Sequence, residues 1–302
     1  MAAASPDRIL LAVTLRLMSA ALFASMNAVI KLCEAGGASF GEIIFFRQFG
    51  AALLMIVVLA TGPGFASVKT DRFGAHVLRT AMGLTAMTFT FNAILMLPLA
   101  ESTTIGFTMP IFATILGALI LREPTGWHRW AAVITGFAGV LIVAQPGGSA
   151  FPLLGALSGL AAAMTTASVS ILLRTIAKTE ATLTTVFWFS TLSLVPLGIV
   201  YTFVWQPHGA LTWALLLGVG LIGGAGQLAM TGAIRFGPVS VVLPMDYSSL
   251  LWATLYGWLI FTVLPTPTTW IGAPIIIASG LYIVWREHVR RGRSPMPAVI
   301  AE

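Results

Sequence analysis

Asp246 is the residue in this sequence that most needs a reason to be where it is. It lies about eight residues into a long apolar stretch, and Ser249, Ala253 and Tyr256 follow at helical spacing on one narrow polar face. A carboxylate in such surroundings can bind a proton or cation facing a cavity, or it can hold a buried basic partner, for which Arg16 and Arg47 are the candidates. At ~1.5 Å per helical residue it is expected ~12 Å from the nearer end of its run, close to the middle. Pro244, two residues earlier, frees the carbonyl four residues back, so local unwinding is expected beside the carboxylate. Arg47, with Gln48 next to it, sits some six residues inside another apolar run. Its guanidinium can clamp a carboxylate or an electron-rich ring, or it can snorkel to the nearby surface. Glu42, five residues earlier, is too far round a helix to pair well with it. Arg16 lies nearer the end of its run, where snorkelling or pairing is expected.

Three carboxamides join these charges. Asn27 continues a stripe of Arg16, Ser19 and Phe23; Asn92 ends one of Thr85 and Thr88; Gln227 shares a face with Gly220, Gly223, Gly224 and Thr231. Each can hydrogen-bond between helices or face a solute. Tyr247, Trp252 and Tyr256, with Phe89, Phe91, Phe107 and Trp188, lie inside apolar runs. They can line a cavity for a flat ring, at roughly 0.5–1.5 kcal/mol of stacking beyond area burial, or pack as core. Pro110 is a second helix-break candidate beside Pro244. Glu101, near the start of its run, is expected only to favour the positive end of a helix dipole. No catalytic constellation and no metal or cofactor site emerges, because His76, His128, His208 and His288 all fall at run ends or in links. The single cysteine, Cys33, excludes an intramolecular disulfide and reads as a packing residue.

The elements that must position these side chains are membrane spans. Of 302 residues 58% are hydrophobic and 9% charged, and the mean hydropathy is +0.95. The polar shell of a soluble domain would be too thin to cover so much apolar surface, whereas lipid solvates it directly. Apolar runs of spanning length occupy residues 9–30, 41–60, 76–97, 99–121 and 127–144, then 152–173, 182–205, 211–234, 238–263 and 268–285. They are twice the length of barrel strands and do not alternate in polarity, so helices are the spanning element. The first run, behind Arg8, exceeds the 7–15 residues of a signal core and is expected to be retained.

Basic residues test the count. With ten spans, thirteen of the sixteen Lys and Arg residues fall on the side carrying both ends, and only Lys31 on the other. Such loops stay cytoplasmic, so both ends are expected inside. The net charge of +6 and pI near 10.1 thus reflect topology and contact with the lipid bilayer, and nucleic-acid binding is not expected. A shift of 140 residues lays Ala113-Thr114 on Ala253-Thr254, Gly117 on Gly257, Ile120 on Ile260, Trp130 on Trp270 and Leu141 on Leu281. Five helices is an odd number, so the second copy enters from the opposite face. The expected fold is all-α integral membrane: ten transmembrane helices as two inverted five-helix repeats, the architecture of many secondary carriers. The expected organisation is an N-terminus at 1–8, repeats at 9–144 and 152–285, and a basic tail at 286–302.

Phe45-Phe46-Arg47, the stretch 92–98, the run 108–123 closing on Leu121-Arg122-Glu123-Pro124, residues 127–139 with Trp130, and the second-half counterpart 238–257 resemble the EamA-type branch of the drug/metabolite transporter superfamily. His76-Val77-Leu78-Arg79 with Trp127-His128-Arg129-Trp130 looks most like its riboflavin and S-adenosylmethionine uptake group. One departure is Thr262-Val263-Leu264, where the second repeat usually ends its fourth helix with an acid. The resemblance implies uptake of a small-molecule solute across the inner membrane by alternating access, with coupling to a proton or counter-solute and a homodimer left open. Export of an amino acid, metabolite or drug is the alternative within the family. No GxxxxGK[ST] motif is present, so ATP hydrolysis by this chain is not expected. An intramembrane enzyme and a channel or scaffold are the alternatives from other classes.

Overall fold

The computed structural model describes residues 6–119, 126–144, 152–176, 179–236 and 242–293. The expected links around Arg122, Glu123 and Pro124 and around 145–148, and the start of the ninth span at 238, lie outside them. Eleven α-helices are given by the described residues: α1 Pro6–Ala35, α2 Phe40–Thr61, α3 Phe73–Met96, α4 Leu99–Gly106, α5 Met109–Leu119, α6 Trp127–Ala144, α7 Leu153–Ile176, α8 Thr182–Val204, α9 Ala210–Phe236, α10 Ser248–Phe261 and α11 Pro267–Arg293. Among the described residues there is no strand. Seven spans are long and apolar enough to cross a membrane, with α4 and α5 counted together, and Trp130–Ala144 is a shorter apolar helix. The 24-residue α3 and the ninth span complete ten crossings.

Two spans are discontinuous, and they break at the same place. The fourth, expected as one run, parts at Phe107 and Thr108. Pro110 has no N–H for the Gly106 carbonyl, and Thr108 Oγ1 donates instead to the Ile105 carbonyl at 2.7 Å. In the ninth span a 3₁₀ turn Leu243–Tyr247 that contains Pro244 leads into the regular helix from Ser248. Ser248 Oγ donates to the Met245 carbonyl at 2.6 Å. The 140-residue register lays Phe107 on Tyr247, Thr108 on Ser248 and Ile105 on Met245, so both the break and its hydrogen bond are repeated. The two aromatic equivalents meet edge to face, with centroids 4.8 Å apart.

The helix pairings obey the same symmetry. α1 packs on α9, and its counterpart α7 packs on α3; α2 meets α9 as α8 meets α3; α1 meets α10 as α7 meets α4 and α5. The pairs α2 with α8, α4 with α10 and α6 with α11 each join a helix to its own counterpart. Followed in order, α1, α9, α2, α8, α3, α7, α4/α5 and α10 close a ring, with α6 and α11 paired outside it. Each repeat therefore buries its helices largely against the other.

Small residues permit the tightest approach, since no hydrophobic effect drives helices together in lipid. A Cβ on Gly50 of α2 would lie 2.6 Å from the Gly220 Cα of α9. On the side opposite the termini, the first repeat fastens the links of the second. Glu42, fully buried, closes a capping box with Ser39 and accepts from the Gln206 N–H at 3.1 Å and lies 3.0 Å from His208 Nε2. Glu101 does more than favour a dipole: buried, it accepts from the Thr266 N–H at 3.0 Å and the Thr269 hydroxyl at 3.1 Å at the head of α11. Where the expected acid is missing, α10 ends on Thr262 in the left-handed region, φ 55°.

Candidate functional site

Many hydroxyls of the spans bond carbonyls of their own helices: Thr85 donates to the Ala81 carbonyl at 3.0 Å and Thr90 to Ala86 at 2.8 Å. Asn27 of α1, Asn92 of α3 and Gln227 of α9 are half-buried and make no side-chain hydrogen bond to another group among the described residues. The lipid-exposed positions of the same helices are apolar, among them Leu17, Met18, Leu217 and Leu221.

Arg47 does not snorkel. It is 6% exposed, its Nη1 donates to Gln48 Oε1 at 3.2 Å, and its Nη2 is 3.5 Å from the Gly223 carbonyl of α9. Gly223 makes the room, since a Cβ there would sit 2.5 Å from Arg47 Nε and 2.6 Å from Met26 Sδ of α1. Gln48 in turn donates to Ser193 Oγ of α8 at 2.9 Å, which fixes the guanidinium between α9 and α8.

Asp246 takes the second of its two readings. Nε and Nη2 of Arg16 donate to its two oxygens, a bidentate pair joining α1 to the turn before α10. The Arg16 side chain is 9% exposed and the Asp246 side chain 38%, so the pair is open on the carboxylate side. Phe261 ends α10 fifteen residues beyond Asp246, about 22 Å at ~1.5 Å per residue.

The aromatics divide. Trp252 and Tyr256 stack at 6.3 Å on α10, and the Tyr256 hydroxyl is 2.8 Å from Ser25 Oγ of α1, half-buried beside the ring interior. Tyr247 instead fills the seam: its ring meets Phe107 and its hydroxyl lies against Gly280 of α11. Phe91 and Phe107 are likewise core. Trp188 donates to the Val68 carbonyl at 2.9 Å and pins the α2–α3 link. Trp213 packs edge on to Phe46.

Two residues that the sequence placed at a span end prove to be interior. His76 is fully buried in the first turn of α3, with Nε2 3.6 Å from a Glu180 oxygen. Arg79, 7% exposed, runs along α3 towards Gly83, away from the terminus side, and lies 4.2 Å over the Phe189 ring. The available signal was the spacing Arg79 to Gly83, one turn, which clears space for the guanidinium.

The geometry thus gives a two-fold ring of spans that carries half-buried carboxamides without a hydrogen-bond partner among the described residues. The sequence model of the EamA-like transporter family matches residues 10–145 and again 153–285. The chain belongs to the EamA-like transporter family. Among relatives of this EamA protein, a riboflavin transporter of Vibrio cholerae is 30% identical over 90% of this chain and 92% of its own. An S-adenosylmethionine uptake transporter of Rickettsia prowazekii is 27% identical over 82% and 83%. A pseudopaline exporter of Pseudomonas aeruginosa is 26% identical over 88% and 93%. A crystal structure superposes with a TM-score of 0.60 at 18% identity, over 94% of the EamA chain and 99% of the other, which speaks for the fold alone.

Proposed function

We propose that this protein is a secondary carrier that takes up a small flat metabolite, a riboflavin-like or S-adenosylmethionine-like solute, across the inner membrane by alternating access. The observation that carries the reading is the closed ring of eight spans, with the half-buried Asn27, Asn92 and Gln227 making no side-chain hydrogen bond among the described residues. Trp252 and Tyr256 supply a stacking face, Arg47 a fixed donor, and the breaks beside Pro110 and Pro244 supply the joints at which the fourth and ninth spans bend. Both ends are cytoplasmic on the basic-residue bias. The repeats are taken as 9–144 and 152–285, between a short N-terminus and a basic tail. Catalysis has no part in the reading, and proton or counter-solute coupling fits the open carboxylate of Asp246.

Counterflow in proteoliposomes tests it. Unlabelled riboflavin or S-adenosylmethionine inside should accelerate entry of the labelled solute, and absence of trans-acceleration with both overturns the reading. The exporter among the relatives favours a second direction, which oriented vesicles separate.

A further inference from the structure

The two repeats are fastened to each other at both faces of the bundle, and the two fastenings have the same parts. On the side opposite the termini, Glu42 at the head of α2 lies 3.0 Å from Nε2 of His208, which leads into α9. That imidazole packs edge on to Trp213, with centroids 5.2 Å apart. On the terminus side, Glu180 just before α8 lies 3.6 Å from Nε2 of His76 in the first turn of α3, with the Trp188 ring alongside at 6.4 Å. Each carboxylate stands at the head of one repeat's second helix, and each histidine at the head of the other repeat's third. Inverted repeats produce such a match, since a contact made on one face is turned over onto the other. The match is of place rather than of register, because Glu42 maps onto Thr182, two residues past Glu180. All four side chains are at least nine-tenths buried.

The two clasps are not equally satisfied. Glu42 is fully used: Oε2 accepts from the Ser39 N–H at 2.8 Å, and Oε1 accepts from the Gln206 N–H at 3.1 Å and meets the imidazole. On the terminus side the link before α3 is held by Thr70, which donates to Glu180 Oε1 at 2.9 Å, and by Arg72, which donates to Thr179 at 3.1 Å. The imidazole of His76 is fully buried there with neither ring nitrogen hydrogen-bonded. Within the next turn of α3, Arg79 Nε and Nη1 and the Thr80 hydroxyl are also buried without a partner. Buried polar groups left unpaired raise the energy of the contact that hides them, and water reaching them on opening relieves that cost.

We infer that the pairs Glu42–His208 and Glu180–His76 are the clasps of the two mouths of the carrier, each parting when the chain opens to its own face. This rests on the carrier reading and adds to it the residues that set which face the empty carrier opens to. The terminus-side clasp gains more by parting, because His76, Arg79 and Thr80 are hydrated only then.

The test needs no solute. Maleimide labelling of the purified full chain in detergent is followed by mass spectrometry, one thiol at a time, relative to the same thiol in denatured protein. Native Cys33, buried with Ala38 and Ile43, which flank the Ser39–Glu42 capping box, reports the face opposite the termini. Thr80→Cys in a Cys33→Ala background reports the terminus side. Glu180→Ala should speed labelling at the Thr80→Cys thiol about fivefold and slow it at Cys33; Glu42→Gln should do the opposite at both. His76→Phe, which removes the unpaired nitrogens and keeps the Thr70–Glu180 bond, should slow labelling at the Thr80→Cys thiol below its rate without that change. Variants that speed labelling only beside themselves, or at both thiols, overturn the inference, as does His76→Phe labelling faster at the Thr80→Cys thiol. Counterflow of riboflavin or S-adenosylmethionine with labelling that is not reciprocal sinks the clasps and leaves the carrier reading standing. Reciprocal labelling without counterflow of either solute does the reverse.

Discussion

Replacing Asp246 with Asn separates structural from functional work at the ion pair. Removing one member of a well-buried pair costs about 3–5 kcal/mol, because the other charge is left uncompensated. Here the Arg16 side chain is 9% exposed but the Asp246 side chain is 38% exposed, and Arg16 Nη1 already lacks an acceptor. Solvent reaching the carboxylate screens the pair towards the value of exposed pairs, below about 1 kcal/mol. The expected loss is intermediate, about 1–3 kcal/mol, or a fall of roughly 3–8 °C in melting temperature for a chain of this order of size. Arg16→Gln should match it, and the exchange Arg16→Asp with Asp246→Arg should recover most of the stability, because the bidentate contact can re-form with its ends swapped. Transport then discriminates. If the carboxylate must bind a coupling cation from the interior, the exchange variant melts like the wild type but loses coupled uptake and its pH dependence. Thermal melts and pH-jump uptake in proteoliposomes read the two quantities. Asp246→Asn melting within about 1 °C of the wild type, or an exchange variant no better than the sum of the singles, would refute the reasoning.

Asn27→Ala and Gln227→Ala remove no protein hydrogen bond, so melting should change by less than about 0.5 kcal/mol while solute affinity in counterflow falls several-fold. Gly50→Val drives side-chain atoms into the Gly220 backbone, where even a Cβ would stand 2.6 Å away; detergent-solubilised yield should collapse, with size-exclusion chromatography as the readout. Glu42→Gln keeps the shape but loses the charge facing the Gln206 N–H and His208, and should cost about 1–3 kcal/mol by thermal melt. Glu101→Gln, with one carboxylate oxygen already without a donor, should cost less in the same assay.

The architecture could be read ahead of the structure because lipid leaves few choices: each span needs its length of apolar residues, and the links need charge and turn formers. The 140-residue register was visible at Trp130 and Trp270 for the same reason, since these pin equivalent spans. The interior was harder. Arg79 looks like one more basic residue at a span end, and only its packing against Gly83 and Phe189 shows the guanidinium turned inward. Asp246 offered two readings that differ in what lies 230 residues away, which helical periodicity cannot report. Tyr247 and Phe107 looked like lining for a flat ring, yet each is the other's neighbour across a two-fold axis, a relation that belongs to the pairing of repeats rather than to either segment.

That axis limits how the molecule can move. Phe107 and Tyr247 sit where two joints with the same hydrogen bond face each other, so any bend available to one half is available in kind to the other. Around the axis the environments differ. The bidentate Arg16–Asp246 pair ties α1 to the turn before α10, whereas between α7 and α4 the contact is apolar, with Gly159 pressed against Ile105. On the alternating-access reading proposed above, the two halves exchange local geometries about the Phe107–Tyr247 seam, and the two end states then differ in how they hold that charged contact. A salt dependence of the resting preference is the expected sign of that inequality.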